Sequence, residues 1–204
     1  MIENIHSTIQ GVITFTWPTI IICLVIIIST RLAYLIKTKE KIVLYKEIMM
    51  LCFIVYILCL FQVVTFQDDV SWSSNNFIPF REIMRYNITS RLFLKNVLGN
   101  MIMFLPYGFF VSFYLRSSKG YSTIILTVIA SIAIELVQMS IGRVFDVDDI
   151  LLNIIGGLLG YFIYSVLARI GNLFPKFFHN EIVLDIILVI VLLSGLGCLW
   201  LILL

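Results

Sequence analysis

Six long stretches with few or no charged residues dominate the sequence. They end where charges begin, and they cover residues 12–30, 48–67, 96–115, 121–142, 150–168 and 182–204. A helix needs about 20 apolar residues to cross a bilayer, whereas a membrane β-strand needs only about 10. The stretches therefore predict an all-α, polytopic membrane protein with about six transmembrane helices.

The composition excludes an ordinary soluble fold. Of the 204 residues, 61% are hydrophobic and only 13% are charged, whereas globular domains have about 25% charged residues. So few charges cannot cover a surface in water, and we expect residues 1–204 to form a single membrane domain. The formal net charge of +2 is small, so we expect no nucleic-acid partner.

The cysteines and histidines do not indicate a reactive site. All four cysteines lie in apolar stretches without a CxxC pair, which is typical of packed or lipid-facing thiols and not of a zinc site or a disulfide framework. His6 and His179 lie in opposite parts of the chain. We therefore expect no Ser-His-Asp or Cys-His nucleophile.

The positions of the basic residues predict the orientation in the membrane. The connection between the first two spans contains Arg31, Lys37, Lys39, Lys41 and Lys46. More basic residues follow spans three and five, so these connections are expected to face the cytoplasm and both termini the outside. Residues 67–95 then form a long extracytoplasmic loop, and its Trp72 and Phe80 favour a position at the membrane interface.

Polar residues of three successive predicted helices fall at one membrane depth on the outer side. Asn96 and Asn100 lie four residues apart, and Glu135 and Gln138 lie three apart, so each pair shares a helix face. The next hairpin and the start of the fifth span add Arg143, Asp146, Asp148, Asp149 and Asn153. We expect these residues to form an outward-facing polar site.

Most of these residues also have an ordinary structural interpretation. The aspartates precede a helix, where carboxylates cap free N–H groups. The asparagines are suited to hydrogen bonds between helices, and Arg143 to a surface ion pair with a hairpin aspartate. The small residues Gly156, Gly157 and Gly160 indicate close helix packing.

Glu135 is the hardest residue to explain structurally. It lies about 10 Å inside its span at a rise of 1.5 Å per residue. A charge at the bilayer centre costs about 2.5–3.5 kcal/mol, so the carboxylate needs Arg143, an asparagine or a proton as partner. We therefore treat Glu135 as a functional candidate.

Several ordered blocks resemble the VanZ family of small membrane proteins. They are NFIPF at 76–80, NVLGNMIMFLPYGF at 96–109, ELVQ at 135–138 and GRVFDVDDILLNIIGGLLGY at 142–161. The resemblance covers residues 76–164, and its R-x-x-D-x-x-D-x-x-x-N pattern is intact as Arg143, Asp146, Asp149 and Asn153. It implies a multi-pass protein of the bacterial cytoplasmic membrane that lowers susceptibility to teicoplanin-type glycopeptides.

The resemblance does not supply a mechanism, and the first possibility is a binding protein. Arg143 and the N–H groups of the hairpin would hold the head group of a membrane lipid, a lipid-linked cell-wall precursor or the glycopeptide antibiotic. The predicted ligand-binding residues are Asn76, Asn96, Asn100, Gln138, Arg143, Asp146, Asp149 and Asn153.

Two alternatives stay open. In a membrane enzyme that modifies a lipid-linked phosphate, Glu135 would be the acid/base, and Asp146 with Asp149 would hold a divalent cation such as Mg²⁺. No nucleophile is evident for such an enzyme. In the third possibility the polar cluster is purely structural, and the protein acts on the envelope or on a partner.

Overall fold

The computed structural model describes residues 2–65, 75–87, 90–116, 119–174 and 180–203, and these ranges are helical apart from short connections. Trp72, His179 and the side chains of His6 and Cys198 lie outside the described residues. The helices are α1 (Ile2–Thr38), α2 (Leu44–Thr65), α3 (Arg81–Arg85), α4 (Arg91–Phe93), α5 (Gly99–Leu115), α6 (Tyr121–Ser140), α7 (Val147–Leu173) and α8 (Glu181–Leu203), with a π-helical turn (Leu94–Leu98) before α5.

Five helices in the described part of the chain are long and apolar enough to cross a membrane. They are Trp17–Thr38, Leu44–Thr65, Asn96–Leu115, Tyr121–Ser140 and Val147–Leu173. The prediction of an all-α, polytopic membrane protein is therefore confirmed. The sixth predicted span corresponds to α8, whose side chains after residue 194 lie outside the described residues.

The chain forms two compact units. One consists of Met1–Val63 and Ile170–Leu204, and the other of Val64–Arg169. The second unit contains residues 76–164, on which the family resemblance rests.

In the first unit, an ion pair changes the expected end of the first span. The guanidinium of Arg31 donates from Nε and Nη2 to both carboxylate oxygens of Glu47, at 3.0 and 2.8 Å. Because this charge is paired, α1 continues past it to Thr38, and Arg31 and Lys37 lie in the helix and not in a loop. Asp185 of α8 likewise accepts the N–H of Tyr45 over 2.8 Å, in the first turn of α2.

In the second unit, glycines bring α7 against the backbone of α5. A Cβ atom at Gly156 would overlap the backbone of Met101, and one at Gly160 would overlap that of Leu105. Gly108 and Gly157 face each other, so a Cβ at Gly108 would overlap the carbonyl group of Gly157. Helices meet this closely only where neither carries a side chain at the contact.

Helix α6 turns a polar face toward the interior of this unit. Five residues spaced four or three apart form this face, and none is more than 7% exposed: Thr123, Thr127, Ser131, Glu135 and Gln138. The large apolar side chains of Ile125 and Ile129 are exposed instead. Polar groups inside and apolar groups outside are the arrangement expected where lipid is the solvent.

Candidate functional site

Glu135 lies near the C-terminal end of the polar face of α6 and is only 1% exposed. Its Oε2 accepts the backbone N–H of Asp146 over 2.9 Å. It forms no salt bridge with any described residue. The partners of the buried carboxyl group are therefore a backbone N–H and a neighbouring amide; Arg143, one of the three partners considered from the sequence, forms no salt bridge with it.

That amide belongs to Gln138, which links Glu135 to Arg143. In the orientation that satisfies both ends of the amide, its nitrogen donates to Glu135 Oε1 over 3.1 Å, and its oxygen accepts from Arg143 Nη1 over 2.8 Å. Arg143 Nη1 also donates to the Val64 carbonyl over 3.1 Å. The guanidinium is thus held in place by neutral oxygens.

Arg143 is itself exposed and forms no salt bridge within the described part of the chain. It follows Gly142, whose positive φ of 87° ends α6 with a sharp turn. A guanidinium has five N–H donors, and its contacts with described residues all involve Nη1. The remaining donors are suited to an anion from outside the protein.

The backbone of the hairpin cannot serve the head group in the way that the sequence suggested. Four consecutive N–H groups donate to oxygen atoms of the protein itself. These bonds run from Phe145 to Asn75 Oδ1 (3.0 Å), from Asp146 to Glu135 Oε2 (2.9 Å), from Val147 to the Asn76 carbonyl (3.1 Å) and from Asp148 to Asp146 Oδ1 (2.8 Å). These four N–H groups are therefore not available to a ligand.

Asn76 pairs with the hairpin across 70 residues of sequence. Its N–H donates to the Phe145 carbonyl over 2.9 Å, and its Nδ2 donates to Asp146 Oδ1 over 2.8 Å. Its Oδ1 accepts the N–H of Ile78 over 3.1 Å. Asn76 is only 4% exposed, and its polar groups bind protein atoms, so in this structure it positions the hairpin.

Asp146 and Asp148 cap two different helices. Asp146 Oδ1 accepts the N–H of Asp148, near the start of its own helix α7, which is the usual geometry of an N-terminal cap. The carboxylate of Asp148 instead accepts N–H groups of Phe80, Glu82 (2.8 Å) and Ile83 (3.2 Å), at the start of α3. Asp148 is 1% exposed, so its carboxylate is shielded from solvent at this contact.

The electrostatics of Asp146 follow from its position. Burial raises the pKa of this carboxyl group, whereas hydrogen bonds from the Asp148 backbone and the Asn76 side chain oppose the rise. Net, the pKa lies above its ordinary value. Asp146 therefore takes up a proton more readily than a carboxyl group in water.

The three other predicted asparagines have separate partners. Their side-chain amides donate from Asn100 to Asp149 Oδ1, from Asn96 to the Tyr86 hydroxyl (2.9 Å) and from Asn153 to Ser131 Oγ (2.9 Å). The structure thus brings Asn76, Gln138, Arg143 and Asp146 together around Glu135. It directs Asn96 and Asn153 to other contacts.

The small hydroxyl residues of α6 are absent from the predicted site, and Asp148, which belongs to the predicted polar cluster, is absent from the predicted ligand-binding residues. Thr123, Thr127 and Ser131 precede Glu135 at intervals of four, and this spacing is the signal that identifies their shared face. Ser112 of α5 joins them, since its Oγ lies 2.8 Å from Thr123 Oγ1. No comparable signal connects Asp148 with α3.

Within the described residues, no group of three or more His, Cys, Asp or Glu side chains is arranged to hold a metal ion. Asp146 and Asp149, the predicted Mg²⁺ ligands of the enzyme alternative, accept hydrogen bonds from Asn76 and Asn100 respectively.

Comparison with known proteins identifies one family. The family model described as VanZ/LLP1 matches residues 53–169, which is more than half of the chain and includes every residue of the site. No curated protein and no solved structure matched the chain.

Proposed function

Because the chain belongs to the VanZ/LLP1 family, we propose that it binds the anionic head group of a membrane-embedded amphiphile through Arg143. The amphiphile would be a lipid-linked cell-wall precursor, a membrane lipid or a teicoplanin-type glycopeptide, and its binding would lower susceptibility to such antibiotics. The observation that carries this proposal is the exposed guanidinium of Arg143, held by Val64 and Gln138 without a described carboxylate partner.

The charges around Arg143 support an anionic ligand. The nearby carboxyl groups of Glu135, Asp146 and Asp148 all accept N–H groups of the protein. These carboxyl groups are hydrogen-bonded within the protein and form no salt bridge with Arg143, and Arg143 is the exposed member of this group. A guanidinium binds phosphate and carboxylate oxygens in pairs, and a side chain already held in place loses less entropy on binding.

Apolar side chains next to Arg143 suit the tail of such a ligand. Met139 and Ile141 lie at the end of α6 and are exposed, as are Leu136 and Val137 one turn earlier. A lipid whose head group reaches Arg143 would lay its chains along these side chains.

The proposed location is the bacterial cytoplasmic membrane, with both termini and the Arg143 site on the outer side. The distribution of basic residues supports this orientation, and glycopeptides act on that side. Labelling a cysteine at Val144 with a membrane-impermeant reagent in intact cells tests it.

The contacts favour binding over the enzyme alternative. As acid/base, Glu135 would have to reach a substrate, but it is 1% exposed and both of its oxygens have partners within the protein. Asp146 is likewise occupied by Asn76 and by the N-terminus of α7.

Thermal unfolding of the purified protein tests the proposal. Undecaprenyl phosphate is the probe, and phosphatidylcholine is the control with a neutral head group. A ligand at 100 times its Kd adds about 2.7 kcal/mol of stability, so the Tm of the wild type should rise with undecaprenyl phosphate. Arg143→Ala should abolish the rise, and Arg143→Lys should retain part of it.

Arg116→Ala serves as the matched control, because Arg116 is an exposed arginine that ends α5. This variant should respond as the wild type does. Equal Tm shifts in the wild type and Arg143→Ala would refute the proposed site. In cells, Arg143→Ala should also lose any reduction in teicoplanin susceptibility that the wild type confers.

A further inference from the structure

We propose that residues 77–85, here called the docking segment, rest in the head-group region of the bilayer and that Asp148 holds them there. The partner of this surface is the lipid bilayer itself. This inference concerns a different surface from Arg143 and does not depend on the proposed ligand.

The docking segment exposes large apolar side chains outside the membrane-spanning helices. The exposed fractions are 67% for Phe77, 59% for Ile78, 53% for Phe80 and 82% for Met84. An apolar patch of this kind on a soluble surface marks an interaction site. Aromatic rings and cations are the side chains that membrane interfaces favour.

Two arginines flank the apolar side chains. Arg81, Met84 and Arg85 are exposed and lie three and four residues apart in α3, so they share one face. Long cationic side chains can keep their charge among lipid phosphates while their stems lie on apolar chains. Arg85 also pairs with Glu82 over 3.3 Å, whereas Arg81 forms no salt bridge with a described residue, so Arg81 is the cation of this face that is open to an anionic lipid surface.

Hydrogen bonds fix the docking segment at the ends of two spans. Asn76, directly before it, pairs with the 145–147 hairpin, and Asp148 accepts three N–H groups within it. The hairpin connects α6 and α7, both of which are long and apolar enough to cross a membrane. Anything bonded to that hairpin lies where these spans leave the hydrocarbon, which is the depth of the head groups.

The contact with Asp148 also orients the segment. The N–H groups of Glu82 and Ile83 point to Asp148, and these two residues are partly buried. Arg81, Met84 and Arg85 are exposed, so the side of α3 that bears Glu82 and Ile83 faces the protein and the opposite side is open. A buried carboxylate thus determines which face the lipid meets.

Spin labelling tests this arrangement in the full-length protein, reconstituted in vesicles of phosphatidylglycerol and phosphatidylethanolamine. The native cysteines are replaced, and single labels are placed by Met84→Cys, Ile125→Cys and Lys119→Cys. Collisions with oxygen report lipid, and collisions with a water-soluble nickel chelate report water. Ile125 is exposed in the middle of α6 and marks the bilayer; Lys119 is exposed in a connection and marks water.

The label at position 84 should lie about 5–10 Å into the head-group and acyl boundary, with severalfold fewer nickel collisions than the label at 119. Nickel collisions equal to those at 119 would overturn the proposal. Protection from both nickel and oxygen would also overturn it, because the face would then be covered by protein.

Substitution of Asp148 tests whether its carboxylate holds the docking segment in place or is merely buried beside it. In Asp148→Asn, nickel collisions at position 84 should rise severalfold while those at 125 stay unchanged. Asp185→Asn is the matched control, since Asp185 accepts a backbone N–H elsewhere in the chain, and it should leave the label at 84 unchanged. If Asp148→Asn leaves the label at 84 unchanged, the role of Asp148 is refuted. Arg143→Ala should not move this label. A failure of the proposed ligand binding at Arg143 can therefore be told apart from a failure of the docking segment.

Discussion

Glu135 near the end of α6 accepts the backbone N–H of Asp146, the residue that caps α7, over 2.9 Å. The carboxyl group that stands out in the sequence as a functional candidate therefore fixes the hairpin that carries Arg143. An N–H group buried at this position needs an acceptor, because an unsatisfied one costs about 1–3 kcal/mol. Glu135 supplies that acceptor from within a membrane-spanning helix.

We predict that Glu135→Gln is tolerated and that Glu135→Leu is not. Glutamine keeps an oxygen for the Asp146 N–H, and its nitrogen can donate to Gln138 once that amide turns over so that its own nitrogen faces the Val64 carbonyl. Leucine leaves the Asp146 N–H unpaired at a cost of about 1–3 kcal/mol. Thermal unfolding in detergent should show a clearly lower Tm for Glu135→Leu than for Glu135→Gln. Equal Tm values for the two variants would show that the hydrogen bond contributes nothing.

Close packing of α7 on α5 predicts a strong effect of a single methyl group. A Cβ at Gly156 would overlap the Met101 carbonyl, whereas a Cβ at Gly99 would meet only ordinary contact distances. Gly156→Ala should therefore destabilise the protein by about 1–3 kcal/mol. Gly99→Ala is the control and should be neutral or stabilising by up to about 1 kcal/mol. The same loss in both variants would contradict the packing.

Phe80 adopts a conformation that favours glycine. Its φ is 67°, in the left-handed region that bulky side chains rarely occupy. Both Phe80→Gly and Phe80→Ala remove the ring, but only glycine removes the strain, so Phe80→Gly should be the more stable by about 1 kcal/mol. At Met84, inside α3, glycine should instead be less stable than alanine by up to about 1 kcal/mol. Chemical unfolding of the four variants measures both differences.

The raised pKa of Asp146 predicts a pH dependence of stability. Because the folded state binds this proton more tightly than the unfolded state, the stabilisation is fully present below the ordinary pKa of 3.8 and is lost as pH rises through the folded pKa. The wild type should therefore gain stability relative to Asp146→Asn as pH falls from about 7 toward 4. A Tm difference that stays constant across this range would contradict the shift.

Much of the fold follows from local properties of the sequence. The third span, Asn96–Leu115, has the predicted bounds, because Lys95 and Arg116 mark its ends. The first span ends later than the charge pattern predicts, for a non-local reason: Arg31 is paired with Glu47, 16 residues away. Charge alone predicts where a helix leaves the membrane only when that charge has no partner.

In the site, too, the sequence predicts the local arrangement but not the contacts between distant residues. Spacing predicts that Glu135 and Gln138 share a face, and they do. No periodicity predicts that Asn76 meets Asp146 across 70 residues. Nor does any local pattern predict that Asp146 caps α7 while Asp148, two residues on, caps α3. Asn96 and Asn153 lie in the expected helices, but the rotation of each helix directs them to Tyr86 and Ser131.

The contact between Gly108 and Gly157 limits how this unit can move. No side chain lies between the two backbones at that point, so no change of rotamer can absorb a small displacement of one helix along the other. α5 and α7 must travel together or separate outright. Any motion that slides α7 must therefore carry α5 with it as one rigid body.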